Sequence, residues 1–350
     1  MDIITQIDAG NLSVDDCFSI AIYCSKLLST GNGDDERTVR TIAIHILNNW
    51  KNIPSELYPV WTDIIESVGF YPYIEKNSET MKVQCLSDEV RQKTFLSDYL
   101  PSMYLHKEQK KLSRYLLSGK NVIASAPTSF GKSLLIEELV ASQKYRNIVI
   151  IQPTLALLDE TRIKLKKYNN AYKIIVRTSQ LPTNEKGNLF LLTAERVMEY
   201  DPLPPIDLLV IDEFYKLSLK RIDERADTLN NAFLKIVGKF KSKFYLLGPN
   251  IDGITPGFAE KYNAEFYKSD FSLVDCNVID LSSNFDFSLS SRSLDKTKLP
   301  VLYELLDKLK NEQTLIYCSA PARARRFAKG YFEHLYKQGQ KPNVQLPLIE

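Results

Sequence analysis

The residues best suited to bind a phosphate group lie in the middle of the chain. Residues 126–133 read A-P-T-S-F-G-K-S, follow the apolar run at 122–124 and precede an amphipathic run at 134–140. This order predicts a strand, a loop and a helix, in which backbone N–H groups and the helix N-terminus surround the phosphates of a nucleotide. Lys132 would reach the terminal phosphates, and the Ser133 hydroxyl would bind Mg²⁺. Taken alone, the segment also fits a turn that leads into an ordinary helix.

Two carboxylates supply the second half of such a site. Asp212 and Glu213 follow the apolar run at 206–211, which has the pattern of a buried strand. A carboxylate at a strand tip beside a phosphate loop holds Mg²⁺, and an adjacent Glu can orient or deprotonate the attacking water. Read alone, the pair is often a helix N-cap. Together with the loop it predicts a nucleotide site with Mg²⁺, in which Lys132, Asp212 and Glu213 would be the catalytic residues.

The elements that must hold these residues alternate along the chain. From about residue 100, short β-branched runs alternate with helical stretches, which is typical of a mainly parallel sheet covered by helices. The fold class is therefore α/β, a doubly wound parallel sheet with the phosphate loop at the carboxyl end of its first strand. The six candidate strands are Asn121–Ser125, Asn147–Gln152, Tyr172–Arg177, Asn188–Thr193, Leu208–Ile211 and Lys243–Leu247.

Residues 1–95 are predicted to form a small all-α domain. The apolar residues between Val39 and Trp50 recur at helical spacing, and the pairs Asp15-Asp16 and Asp34-Asp35 are expected to cap helices. Charge also separates this region from the rest. The first 100 residues hold 8 basic and 15 acidic residues, a net charge of −7. The whole chain has 45 basic and 43 acidic residues, so residues 101–350 hold 37 and 28, a net charge of +9. A polyanion is therefore expected on the later part.

Composition excludes several classes of protein. With 350 residues and 44% hydrophobic content, the chain is expected to form two or three globular domains. The five cysteines are scattered without a C-x-x-C motif and predict neither disulfides nor a zinc site, and the three histidines are interpreted as structural or surface residues. No apolar run is long enough to cross a bilayer, and no signal peptide is recognisable. We expect a cytoplasmic protein without a membrane partner.

Six segments stand in an order that identifies a family. Over about residues 100–330, they resemble motifs Q, I, Ia, Ib, II and III of the superfamily-2 helicases of the DExH/D-box type. The resemblance implies a RecA-like ATP-binding domain at 96–281, with ATP and Mg²⁺ as cofactors. The segments are Gln109, 126–133, 153–157, 193–196, 212–215 and 247–250.

The resemblance also implies roles for single residues. Gln109 would read adenine, and Ser133 with Asp212 would hold Mg²⁺. Pro153, Thr154, Thr193 and Arg196 would grip a nucleic-acid backbone without reading bases, although a helix cap and a solvated helix face are the alternatives for them. The loop residues implied in nucleotide binding are Thr128, Ser129, Phe130, Gly131, Lys132 and Ser133.

Two motifs depart from the pattern of that family. The segment that contains Gly248 and Asn250 resembles motif III, which couples hydrolysis to strand movement, but the family more often has Ser/Gly-Ala-Thr there. In motif II, Phe214-Tyr215 replaces the usual polar ending. The polar contact of that ending with motifs III and VI is therefore absent or replaced, and the sequence leaves both alternatives open.

The last part of the chain is expected to begin a second domain. Residues 282–300 are Ser-rich and aperiodic, as in a linker, and 301–350 would start a second RecA-like domain. A strand predicted at Thr314–Cys318 resembles motif IV, with Ser319 as its contact to nucleic acid. Motifs V and VI, which carry the arginine finger of the family, do not follow within these 350 residues. The chain alone is therefore expected to be weakly active or inactive.

The expected function is an ATP-dependent helicase or translocase. Within the superfamily, the sequence resembles the helicase subunits of two-component bacterial anti-phage systems of the Hachiman type, in which a nuclease accompanies the helicase. The resemblance implies nucleic acid as a partner, with DNA favoured over RNA, and a nuclease effector as a second partner. The alternative is an ATP-switched, nucleic-acid-sensing module that docks an effector without unwinding. A small-molecule kinase would leave motifs Ia, Ib and IV without a role.

Overall fold

The computed structural model describes residues 2–82, 85–217, 224–249, 251–276, 278–309 and 312–339. The chain divides into two compact units, of residues 1–275 and 276–350. The first unit contains the helical region and the sheet together. Among the described residues, no helix combines the length and the apolar character needed to cross a bilayer.

The first part of the larger unit is helical. Helix α2 begins where Ser13 and Asp16 cap each other, with the Asp16 N–H donating to Ser13 Oγ over 3.1 Å. Helix α3 begins after Asn32, whose side chain accepts from the Asp34 N–H. The acidic pairs expected as caps therefore lie inside the first turn, where they complement the helix dipole. The helices are α1 (Ile3–Asp8), α2 (Val14–Ser29), α3 (Gly33–Asn48), α4 (Tyr58–Ser67), α5 (Tyr71–Lys76) and α6 (Leu86–Lys93).

Seven strands form one parallel sheet in the order β3-β4-β2-β5-β6-β1-β7. The strands are β1 (Asn121–Ser125), β2 (Asn147–Ile151), β3 (Tyr172–Ile175), β4 (Gly187–Leu192), β5 (Leu208–Asp212), β6 (Lys243–Gly248) and β7 (Ala264–Lys268). The predicted doubly wound α/β class is confirmed, and each of the six predicted strands is present. Strand β7 was missed because it is a half-exposed edge strand without a continuous apolar run.

The helices that follow the strands cover the two faces of this sheet. Alternating residues of the central strands point to opposite sides: Ile148 and Ile150 belong to one buried cluster, Val149 and Ile151 to the other. The N-terminal helices share the first cluster with the sheet, so that they pack on it directly. The helices between the N-terminal region and the end of the sheet are α7 (Lys107–Leu117), α8 (Lys132–Ala141), α9 (Leu155–Leu165), α10 (Ala194–Glu199), α11 (Glu224–Phe233), which continues as a π-helical turn, and α12 (Phe258–Tyr262).

The described residues of the second unit contain two α-helices, α13 (Ser291–Lys308) and α14 (Pro321–Lys337), and a 3₁₀ turn at Ser282–Asn284. The strand predicted at 314–318 is wrong: residues 312–318 have no regular secondary structure, and Leu315 and Tyr317 are exposed. A strand needs a neighbour for its backbone hydrogen bonds, and the described residues of this unit contain no other strand. Helix α13 begins inside the predicted linker, at residue 291, where Ser290 caps it. The role of 282–300 as a linker stays a prediction.

Candidate nucleotide and nucleic-acid site

The phosphate loop joins β1 to α8 at the carboxyl edge of the sheet. It starts with a hydrogen bond from the Ala126 N–H to the Gly248 carbonyl, 3.1 Å long, and continues through a 3₁₀ turn at Thr128–Phe130. Gly131 has φ +78°, and a Cβ atom there would lie 2.5 Å from Gln109 Nε2. Both the left-handed backbone and this close approach require glycine. The N-terminus of α8 therefore begins inside a tight, preformed cradle.

Lys132 lies folded over this loop. Its Nζ atom donates to the carbonyl oxygens of Ala126 and Pro127, over 2.9 Å and 2.8 Å. Burial lowers the pKa of the Lys132 ammonium, and the charge of Asp212 acts in the opposite direction. The ammonium is thus held at the mouth of the loop by two neutral acceptors. Phosphate oxygens, which carry a full charge, would compete for it effectively.

Gln109 and His106 hold the phosphate loop through hydrogen bonds to its backbone. Gln109 Nε2 donates to the Phe130 carbonyl over 2.8 Å, and its Oε1 accepts from the His106 N–H. His106 Nε2 donates to the same carbonyl over 3.1 Å, while Nδ1 accepts from the Gln109 N–H. Complete burial lowers the pKa of His106 to about 3, so the ring is neutral. Sequence reasoning missed this role, because His is not a usual capping residue.

Gln109 helps to hold the phosphate loop in place. Its side chain is buried, with both ends of the amide bonded to protein groups. One N–H and one oxygen lone pair remain, because an amide offers two donors and two acceptor sites. The predicted contact of Gln109 with adenine therefore stays a prediction.

The two carboxylates stand at the end of β5, as the sequence predicted. Asp212 accepts from the Gln152 amide at 3.4 Å and from the Glu213 N–H at 3.0 Å. Burial raises the pKa of the Asp212 carboxyl, and these two hydrogen bonds oppose the shift. Glu213 has φ +58°, which is uncommon for a residue other than glycine, and its carboxylate is 2.6 Å from Lys216 Nζ.

The residues of this edge fit a nucleotide with Mg²⁺. Ser133 offers an exposed hydroxyl and Asp212 a carboxylate, which are the oxygen ligands that Mg²⁺ prefers. A helix start offers N–H groups to a phosphate, and glycine at 131 lets the Gln109 amide pack against the loop backbone. A bound Mg²⁺ would neutralise charge on the phosphates.

Motif II meets motif III through an apolar contact of Phe214. The Phe214 side chain is buried, and a Cβ atom added to Gly248 would lie 3.2 Å from its ring and 2.4 Å from Ile251 Cδ1. Phe214 therefore packs closely on the backbone of Gly248. Since Gly248 also accepts the hydrogen bond from Ala126, it connects the phosphate loop with motif II. Asn250, the other predicted coupling residue, lies outside the described residues.

Two of the predicted nucleic-acid residues lie beside the Asp212 carboxylate. Pro153, Thr193 and Asp212 line one cavity of about 60 Å³. Thr193 caps α10, as Thr154 caps α9, so the helix-cap alternative holds for both in addition to any contact with nucleic acid. Arg196 is half-buried and donates to the Val176 carbonyl over 3.0 Å.

Ser319 belongs to the second unit and is exposed there before α14. Its hydroxyl accepts from Arg323, which also forms an ion pair with the buried Asp295. Arg326 is 2.5 Å from the same carboxylate. Both arginines are thus used inside their own unit.

A phosphate loop, an Asp-Glu pair and a motif III glycine at one edge of a parallel sheet define the ATP-binding core of a RecA-like helicase. Residues 106–241 match the DEAD/DEAH box helicase family, and residues 1–85 match the family described as the N-terminal domain of anti-bacteriophage protein B. The chain therefore carries a DEAD/DEAH helicase domain and an N-terminal domain of this kind, which confirms the predicted resemblance to superfamily-2 helicases. DEAD/DEAH helicase domains use ATP with Mg²⁺ and bind nucleic acid.

Two individual proteins show the extent of the similarity. Anti-bacteriophage protein B of Escherichia coli (strain K12) is 33% identical over 321 residues, which cover 89% of this chain and 42% of that protein. The chain therefore spans less than half the length of this curated relative. The crystal structure of the DUF1998 helicase MrfA matches with a TM-score of 0.44 and 13% identity, over 70% of this chain and 41% of that one. At that level, the match adds nothing to the family assignment.

Proposed function

We propose that the chain is the ATP-hydrolysing part of a nucleic-acid helicase or translocase that acts in anti-phage defence. The observation that carries the proposal is the position of Lys132 and Asp212. These residues follow β1 and end β5, two strands separated only by β6, and both face the carboxyl edge of the sheet. Lys132 and Ser133 bind the phosphates and Mg²⁺, Asp212 holds Mg²⁺, and Glu213 orients the attacking water.

Nucleic acid is the substrate that moves along this edge. Pro153, Thr154, Thr193 and Arg196 grip its phosphates, and the net charge of +9 after residue 100 attracts it. The name of the curated relative supports a role in defence against phage. A nuclease effector, DNA rather than RNA as substrate, and a cytoplasmic location complete the proposal.

A docking module that uses ATP only as a switch is the second candidate. The observation in its favour is that Phe214-Tyr215 stands in place of the polar ending of motif II and that Phe214 makes an apolar contact with Gly248. The two candidates differ in one respect that is measurable. A helicase separates a tailed duplex, whereas the switch hydrolyses ATP without separating strands.

The test measures ATP turnover of the full-length protein with single- and double-stranded DNA and RNA, together with unwinding of a tailed duplex. Lys132→Ala is expected to abolish both nucleotide binding and turnover, because it removes the cation that contacts the phosphates. Glu213→Gln is expected to abolish turnover while ATP still binds, because only the group that orients water is lost. Normal turnover in both variants would refute the site. Turnover without unwinding would establish the switch instead.

A further inference from the structure

Gln152 occupies a buried position between two functional segments. It directly follows β2 and precedes Pro153, and its side chain is 5% exposed. Its Nε2 donates to Asp212 Oδ2 at 3.4 Å, and its Oε1 accepts from the Thr161 hydroxyl at 2.8 Å. The direction is fixed chemically, because an ionised carboxylate only accepts and the amide must therefore turn its NH₂ group towards Asp212. Thr161 consequently donates to the carbonyl end.

Thr161 connects this amide to the beginning of α9. Thr154 caps the same helix by accepting from the Leu157 N–H, seven residues before Thr161. Seven residues are about two turns, so the two threonines lie on one side of α9 about 10 Å apart. Thr154 and its neighbour Pro153 are the residues proposed to hold the nucleic-acid backbone. A shift of the start of α9 would therefore reach Thr161 through a rigid helix.

The same helix is also fastened to the phosphate-loop helix. Lys164 Nζ on α9 donates to the Ser133 carbonyl over 3.3 Å and lies 3.1 Å from the buried Glu137 carboxylate. Lys167, one turn further along the chain, is 2.5 Å from the other oxygen of Glu137. Helix α9 thus contacts both residues proposed as Mg²⁺ ligands, Ser133 through its carbonyl and Asp212 through Gln152.

We propose that Gln152 and Thr161 form a relay that orients the Asp212 carboxylate towards Mg²⁺ and ties that orientation to helix α9. This inference rests on the proposed function, and it names Gln152 and Thr161 as positioning residues of that site. When nucleic acid binds at Pro153 and Thr154, it shifts the start of α9. Thr161 moves with the helix and transmits this shift through the Gln152 amide to Asp212. The relay explains how binding of nucleic acid at one end of the cavity stimulates hydrolysis at the other.

The experiment uses four variants of the full-length protein: Gln152→Leu, Thr161→Val, Thr161→Ser and the double variant Gln152→Leu/Thr161→Val. The first readout is binding of a fluorescent, non-hydrolysable ATP analogue as Mg²⁺ is titrated. Removal of a group that orients a metal ligand typically costs 10-fold or more in metal affinity, so the half-saturating Mg²⁺ concentration should rise about tenfold in Gln152→Leu and Thr161→Val. Thr161→Ser keeps the hydroxyl and should bind Mg²⁺ as the wild type does.

The double variant tests whether the two residues act as one unit. Its Mg²⁺ affinity should equal that of either single variant, because each change breaks the same relay. The second readout is the ratio of turnover with and without the nucleic acid that stimulates the wild type most. This ratio should fall in the two single variants and persist in Thr161→Ser.

Several results would overturn the relay. Unchanged Mg²⁺ affinity in Gln152→Leu, additive losses in the double variant, or equal damage by Thr161→Val and Thr161→Ser would each do so. The matched pair at Thr161 decides even if Gln152→Leu fails to fold, because valine keeps the shape of threonine and serine keeps its hydroxyl. If nucleic acid does not stimulate the wild type while the Mg²⁺ results hold, the positioning of Asp212 stands and the proposed function fails.

Discussion

The imidazole of His106 stacks on the phenyl ring of Phe271, with centroids 4.3 Å apart and an angle of 19° between the planes. Both side chains are completely buried. His106 donates a hydrogen bond to the carbonyl of Phe130 in the phosphate loop. The guanidinium of Arg40, on α3, lies 5.1 Å from the centroid of the Phe271 ring. The stack therefore connects the N-terminal helices with the nucleotide site through direct contacts. Stacked rings at this distance add to the stability that burial provides.

Removal of the Phe271 ring should weaken this connection strongly. Phe271→Ala leaves a cavity between Arg40, Phe70 and His106, and we expect it to cost about 3–5 kcal/mol of the free energy of unfolding. Nucleotide affinity should fall with it, because the ring supports His106. The measurement is chemical denaturation together with binding of a fluorescent ATP analogue. Phe287→Ala is the matched control, since that ring is 59% exposed, and it should change stability by less than about 0.5 kcal/mol.

The same buried ring predicts a pH dependence of stability. His106 has a folded-state pKa of about 3 because of burial, against an ordinary value of 6.5. Between these values the unfolded chain binds a proton at this position that the folded chain does not. The contribution of His106 is therefore fully present above the unfolded pKa and is lost as the pH falls towards the folded one. From about pH 7.5 to about pH 5, the loss should reach about 2 kcal/mol.

A variant without a titrating side chain at position 106 isolates the contribution of His106 to the pH dependence. His106→Asn can still cap α7 but binds no proton in this range. The stability of the wild type, measured by denaturation at several pH values, should approach that of His106→Asn as the pH falls. Parallel curves for the two proteins would show that His106 is not buried in its neutral form.

The contiguous parts of the site could be predicted from the sequence. Strand β1, the phosphate loop and α8 follow each other within about 20 residues, and each has its own local signal: an apolar run, a glycine before Lys132 and a helical period. The pair Asp212-Glu213 is likewise announced by the strand before it. Local patterns suffice here because the parallel sheet brings the ends of its strands to one edge.

The contacts that brace the site could not be predicted in this way. Phe271 lies 165 residues after His106, and the two meet because β7 pairs with β1, which brings the segment after β7 beside the phosphate loop. Because the sequence does not predict β7, it cannot predict the stack of His106 on Phe271 either. Phe214 was recognised as unusual, but its packing on Gly248 depends on the register of β6 against β1 and β5. Register follows from side-chain packing over the whole sheet, which a single sequence does not display.

Binding of nucleic acid should be governed by phosphate contacts. We expect affinity to fall linearly on a plot of log K against log salt and to depend little on base sequence, since the proposed contacts reach only the backbone. Arg196→Ala should reduce the slope by about 0.7 for a single strand, the value for one phosphate contact. Fluorescence anisotropy at several salt concentrations measures both quantities.

The acidic N-terminal region supplies the control for that measurement. Lys26 is exposed on α2, within the first 100 residues of net charge −7, and Lys26→Ala should leave the salt slope unchanged. An equal effect of the Lys26 and Arg196 variants would mean that overall charge, and not a contact at Arg196, governs binding.

The close packing at Gly248 gives the last prediction. Gly248→Ala would place a methyl group 2.4 Å from Ile251 Cδ1 and 3.2 Å from the Phe214 ring, so that these side chains must move. We expect a loss of about 1–3 kcal/mol in stability, as for other overpacked sites. Because Gly248 also receives the hydrogen bond of Ala126, the shift should reach the phosphate loop and weaken nucleotide binding.

A second substitution should reverse this effect. Ile251→Val removes the Cδ1 atom that makes the shortest contact, so Gly248→Ala/Ile251→Val should recover most of the stability and nucleotide affinity that Gly248→Ala loses. Gly253→Ala is the matched control, because a Cβ atom there meets nothing within 4 Å. Thermal unfolding and titration with a fluorescent ATP analogue measure the two quantities. If Ile251→Val brings no recovery, the Ile251 contact is not what limits the site, and the Phe214 ring must carry the whole steric conflict.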